Sequence, residues 1–222
     1  MNRSGSPNVK TQRTWAKARI TVVLIVVNVA WFLLVEGQRG GTPQGFLDAG
    51  AMNSFYFMHG QWYRPVSAMF VHAGVAHLLV NMVSLYSLHV IELWMGGAAY
   101  LVTYTLAGIA GFLLSAVFTS PSTVTLGASG AIFGVFGVAL FLALKGYLPK
   151  VVRNQLIAVL ILNVVFDVAE PQVSLLGHVG GLIAGMAAAA VFVRQGRRKW
   201  TRYAGYGAVV LMVVSLIFAY VS

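Results

Sequence analysis

The chain has no cysteine, and only 9% of its 222 residues are charged. The first absence excludes structural disulfides, thiolate zinc sites and a cysteine nucleophile. The second excludes an ordinary soluble domain, in which about a quarter of the residues carry charge. Acidic residues are few: Glu36, Asp48, Glu92, Asp167 and Glu170 complete the set. Each falls in a loop or at the end of an apolar run, so no intramembrane aspartate pair exists to serve an aspartyl peptidase. The HExxH of a zinc peptidase is also missing, as are internal repeats and any stretch that reads as a soluble domain.

What the chain does have is long apolar runs, at roughly 20–36, 69–91, 98–118, 128–144, 154–168, 175–193 and 204–221. Measured against the ~20 residues a helix needs to cross a bilayer, they predict an all-α, polytopic membrane protein with seven transmembrane helices, some of them short. The net charge of +10 invites a nucleic-acid reading, but the cations are placed as topology signals. Thirteen of the fifteen lie in the amino-terminal tail, the 145–153 connection and the 194–202 connection, leaving only Arg39 and Arg64 for the other side. The positive-inside rule then puts the N-terminus in the cytoplasm and the C-terminus outside, with Glu36, Asp48, Asp167 and Glu170 external. The charged flank before the first run, with no small-residue cleavage site after it, argues against a cleavable signal peptide. The expected divisions are a cytoplasmic tail (1–18), a six-helix core (19–195) with an external loop (37–68) folded on the membrane surface, and a basic linker with a seventh helix (196–222).

Polar residues inside such runs are costly and mark functional positions. They are few: His72, His77, Asn81 and His89 around the second run, Ser129 in the fourth and His178 in the sixth. His89, near the cytoplasmic end, and His59, in the external loop, read as structural or solvated. Ser129 precedes Lys145 by sixteen residues, His178 precedes Arg194 by sixteen, and His77 precedes Glu92 by fifteen. At 1.5 Å per residue all three lie about 22–24 Å from the inner boundary of a core about 30 Å thick. His77 and Asn81 share one helix face, as do His178, Gly181 and Gly185, and the fourth run has a stripe of Gly130, Gly134 and Gly137. Such stripes let membrane helices approach closely, which is a packing role in its own right. They also allow a hydroxyl and an imidazole to meet across two backbones.

A neutral histidine can take the proton that makes serine a nucleophile. With no carboxylate placed to orient the base, a Ser129–His178 dyad is the economical arrangement. The unpartnered amides where Ser129 opens its helix, with His77 and Asn81, would supply oxyanion donors. The segment "TSPSTVTLGA" before Ser129 must then enter the membrane as irregular backbone lining a protected, wet cavity.

These motifs together resemble the rhomboid intramembrane serine proteases. Gly127-Ala128-Ser129-Gly130 matches the family's GxSG, and His178 with Gly181 and Gly185 matches its HxxGxxxG. His77 with Asn81 matches the HxxxN associated with the oxyanion hole, His72 matches a further family histidine, and "WYRPVSAMFVH" resembles the Trp-Arg segment of the first loop, with Arg64 at the arginine. Phe133 stands where many relatives have a tyrosine packed on the catalytic histidine; a phenyl ring can stack there but brings no hydroxyl. The resemblance covers six spans, with the seventh as an added C-terminal helix. It implies a rhomboid-like bundle in the cell membrane that hydrolyses transmembrane protein substrates, with access near the fifth span and no cofactor, metal or nucleic acid. The rival readings are a proteolytically inactive relative that binds transmembrane clients and a histidine-lined transporter, in which His72, His77 and His178 would relay protons or hold zinc.

Overall fold

A computed structural model of the chain describes residues 18–169, 174–195 and 199–222. The tail cations Arg3, Lys10, Arg13 and Lys17, together with Glu170, Arg197 and Arg198, lie outside the described residues. Within them the chain is a helical membrane protein, and five of its helices are long and apolar enough to cross a bilayer.

Helix α1 (Arg19–Trp31) begins without a side-chain cap of its own. Its free amides are met from across the fold: Glu92 accepts from the backbone N–H of Ile20 and Thr21 at 3.0 and 2.8 Å and from the Thr21 hydroxyl at 2.7 Å. A carboxylate here satisfies orphan donors and complements the positive end of the helix. The helix continues through a π turn at Phe32–Glu36 and a last turn at Gly37–Arg39, three residues beyond the predicted end. Gly40, at φ 76° and ψ 159°, stops it by taking a positive-φ, extended conformation open to glycine.

The 37–68 loop is a folded unit. It contains α2 (Pro43–Asp48), β1 (Met52–Asn53), α3 (Ser54–Met58), α4 (Arg64–Ser67) and a 3-10 turn at Ala68–Phe70. Thr42 and Asn53 cap α2 and α3 through their side-chain oxygens. Val35, Phe46, Ala49, Ala51, Val71 and Leu126 form a small core beneath it, apart from the main one.

The second span departs from the expected continuous 69–91 run. Residues 71–74 are non-helical, α5 covers Val75–Ser87, and after a break at Leu88 the chain resumes as α6 (His89–Met95). Then come α7 (Gly97–Phe118), β2 (Val124–Thr125), α8 (Ser129–Leu144), α9 (Lys150–Ala169), α10 (Leu175–Gln195) and α11 (Lys199–Val221). The two strands pair antiparallel, Met52 with Thr125 and Asn53 with Val124, so the segment expected to be wholly irregular is partly held as a two-residue ribbon.

Helix α8 is apolar on every side and buried around nearly its whole circumference, which places it at the centre of the bundle. At sixteen residues it is about 24 Å long, less than the hydrocarbon thickness, so its first residue starts below one surface. Glycines set its contacts with α10: a Cβ on Gly181 would fall on the carbonyl oxygen of Gly130, and one on Gly185 on that of Gly134. The predicted small-residue stripes are therefore the seam of the bundle.

Candidate active site

Ser129 is the first residue of α8, and Gly127, two residues earlier, turns the chain at φ 112°. His178 lies in the first turn of α10, where Ser174 accepts from Gly177 N–H through its hydroxyl and from His178 N–H through its carbonyl. Because glycine lets α8 and α10 approach so closely, the Ser129 hydroxyl lies 2.7 Å from His178 Nε2. Both residues are buried. The Phe133 ring, one turn along α8 from Ser129, stacks on the imidazole at 4.1 Å and 1° interplanar angle. That stack holds the ring plane, and with it the direction of the Nε2 lone pair. Serine hydrogen-bonded to a histidine nitrogen is poised to lose its proton as it attacks.

The remaining predicted residues converge to different degrees. His77 Nδ1 accepts from the Ala73 backbone N–H at 3.3 Å, so in the neutral ring the proton sits on Nε2. That Nε2 faces Gly127: a Cβ added there would lie 2.9 Å from it and 3.7 Å from Ser129 Oγ. His77, Gly127 and Ser129 therefore surround one point, and glycine keeps it open. The amides of Ser129 and Gly130 precede the first hydrogen bond of α8, from Ile132 N–H to Ala128 O, and lie at the positive end of the helix. A narrow crevice with a cavity volume of about 10 Å³ reaches this point, lined by Phe112, Leu126, Ser129, Gly130, Ser174 and His178 among others.

Asn81 is buried one turn further along α5, and its amide nitrogen donates to the His77 carbonyl at 2.9 Å. His72 is also buried; its ring packs edge-on against His77 at 5.2 Å, and its Nδ1 lies 3.2 Å from the Phe70 carbonyl. Gly181 and Gly185 belong to the α8–α10 seam. Arg64 is outside the site. It is buried in the loop, donating to the carbonyls of Leu47 and Ala51 at 2.9 and 2.6 Å and to Gln61, with its guanidinium against the Tyr56 ring. Burial pushes its pKa down, and nearby Tyr63, Tyr56 and Asp48 push it up. Among the described residues, no group of three His, Asp or Glu side chains is arranged to hold a metal ion.

A family profile described as the rhomboid domain matches residues 59–195. Rhomboid protease GluP of Bacillus subtilis is 36% identical over 78% of this chain and 35% of its own length. YdcA of the same bacterium is 30% identical over 64% of this chain and 73% of itself. Rhomboid-like protease 3 of Toxoplasma gondii is 31% identical over 76% of this chain and 66% of itself.

The chain belongs to the rhomboid family. It spans about a third of the length of GluP. The matched rhomboid region contains Ser129, His178, His77 and Asn81 but starts after Glu36, which sequence reasoning left as an external acid at a span end. Glu36 is buried within the fold and accepts from the His72 backbone N–H at 2.9 Å, bracing the non-helical link into α5. The one available signal was a carboxylate at the end of an otherwise apolar run.

Proposed function

We propose that this rhomboid chain is a serine-type intramembrane endopeptidase that cuts transmembrane protein substrates. What supports the reading is the 2.7 Å contact between Ser129 Oγ and His178 Nε2 at the sunken start of a central helix. The similar rhomboid proteases of Bacillus subtilis and Toxoplasma gondii point the same way.

In this reading Ser129 Oγ bonds to the scissile carbonyl carbon while its proton passes to His178 Nε2. The oxyanion that forms is received by the amides at the start of α8 and by the Nε2–H of His77. Collapse breaks the C–N bond, and His178 hands its proton to the leaving amine. Water, deprotonated by the same imidazole, then cleaves the acyl ester, and Ser129 recovers its proton. The Phe133 stack orients the base. A substrate helix hides its carbonyls in hydrogen bonds, so cleavable segments should contain Gly, Ala, Ser or Pro, which unwind at low cost. The proposed setting is the cell membrane, with the N-terminus cytoplasmic and the site opening to the opposite face. Residues 19–195 form the protease core and 196–222 the added helix.

The test is cleavage of a tagged single-span substrate together with labelling by a fluorophosphonate. Wild type should cleave and label; Ser129→Ala and His178→Ala should do neither while staying folded in detergent. Cleavage by Ser129→Ala at the wild-type rate would overturn the reading.

A further inference from the structure

The seventh helix does not simply run beside the core. Its last turn is docked into the loop on the active-site side, by contacts of several kinds. Arg39, at the end of the first span, donates to the carbonyls of Ala219 and Tyr220 at 3.2 and 2.9 Å, and its guanidinium lies over the Tyr220 ring at 6.0 Å. These are the carbonyls a helix leaves without partners at its C-terminus, where a cation also complements the dipole. Phe218 stacks on Tyr63 at 5.9 Å and meets the edge of Trp62 at 5.6 Å. The Tyr63 hydroxyl donates to Ser222 Oγ at 2.8 Å. Ala219 is fully buried against Gly50, where an added Cβ would come within 2.7 Å of it.

From that contact a short run of bonds leads to the nucleophile. Gly50 O accepts from the Ser67 hydroxyl at 2.7 Å, and the next carbonyl, Ala51 O, accepts from Arg64. The following two residues, Met52 and Asn53, pair with Thr125 and Val124. The Gly127 N–H, one residue past the loop's small core contact at Leu126, donates to Ala68 O at 2.9 Å, and Ser129 follows. The strand before the nucleophile is thus fixed to the loop at both of its ends, and the loop is fixed to the tip of α11. A two-residue ribbon cannot hold itself in register; it needs rigid flanks.

We infer that Arg39, Tyr63 and the last turn of α11 are positioning residues for the Ser129 site, holding the 122–127 segment through the external loop. The inference rests on the proposed protease activity for its kinetic readout, but not for its structural one.

The experiment compares wild type with Arg39→Ala/Phe218→Ala in detergent, by hydrogen–deuterium exchange and by the rate of fluorophosphonate labelling at Ser129. Exchange should accelerate at 122–127 while α7, α8 and α10 keep their protection. The labelling rate and kcat should fall about tenfold, the scale of a displaced reacting group, with KM changing less than about twofold. Arg39→Lys, which can still donate to a helix-end carbonyl, should recover part of the loss. Arg39→Ala alone carries the test if the double variant does not fold. Wild-type exchange at 122–127 and wild-type labelling in the variant would overturn the inference. If wild type itself neither labels nor cleaves, the protease reading fails, and exchange at 122–127 alone decides whether α11 holds the segment.

Discussion

At the scale of single residues, the two α5 side chains assigned to the oxyanion are not equivalent. His77 has its Nδ1 occupied by the Ala73 N–H, so its remaining proton points at the space beside Gly127 and Ser129. Asn81 has an amide N–H turned back to the His77 carbonyl, within its own helix. In the proposed mechanism one therefore donates toward the reacting centre, and the other's observed bond supports the residue that does. Losing a direct oxyanion donor costs about 10²–10³ in kcat. We expect His77→Ala to show a loss of that size, and Asn81→Ala a smaller one of about tenfold. In steady-state assays KM should be little changed in both. Equal losses would mean that Asn81 contacts the oxyanion itself. Motif spacing placed both residues on one helix face but could not separate their roles, because the difference lies in a backbone bond from Ala73 that no pattern of side chains encodes.

At the scale of elements, the glycine seam was the most legible feature. Small residues four apart on two apolar runs have few uses besides close helix contact, and the meeting of Gly181 with Gly130 and of Gly185 with Gly134 follows. The π turn at Phe32–Glu36, the break at Leu88 and the β1–β2 pairing left no such trace. The first and last are backbone geometry held by neighbours: Glu36 is held by the His72 amide, and the two-residue strands pair where the loop brings them together. The seam makes a sharp prediction. At Gly185 a methyl group would collide with backbone, which cannot rotate away, so Gly185→Ala should destabilise the protein by about 2 kcal/mol or more. At Gly207, on α11, nothing lies within 4 Å of an added Cβ. Gly207→Ala should be neutral or stabilise by up to about 1 kcal/mol, since alanine is the better helix former. Unfolding in detergent measures both, and similar effects at the two positions would contradict the seam.

At the scale of the whole molecule, sidedness connects the charge pattern to the site. The tip of α11 is bonded to the 37–68 loop through Arg39 and Tyr63, so the C-terminal end and the loop must share a membrane face whichever way the protein inserts. The α8–α9 connection, with Lys145 and Lys150, lies past the far end of α8 from Ser129, at the opposite end of the bundle. The positive-inside rule predicts which face is which. Cations crowd the α8–α9 side, and moving them across a bilayer is what the positive-inside bias opposes. Because the chain has no cysteine, single cysteines report location without background. Met58 in the loop, Val221 at the end of α11 and Tyr147 in the α8–α9 connection are all exposed. In intact cells a membrane-impermeant maleimide should label Met58→Cys and Val221→Cys but reach Tyr147→Cys only after permeabilisation. Met58→Cys and Val221→Cys labelling on different sides would break the docking of α11 onto the loop. Both labelling only after permeabilisation would keep the docking and invert the orientation, opening the Ser129 site to the cytoplasm instead.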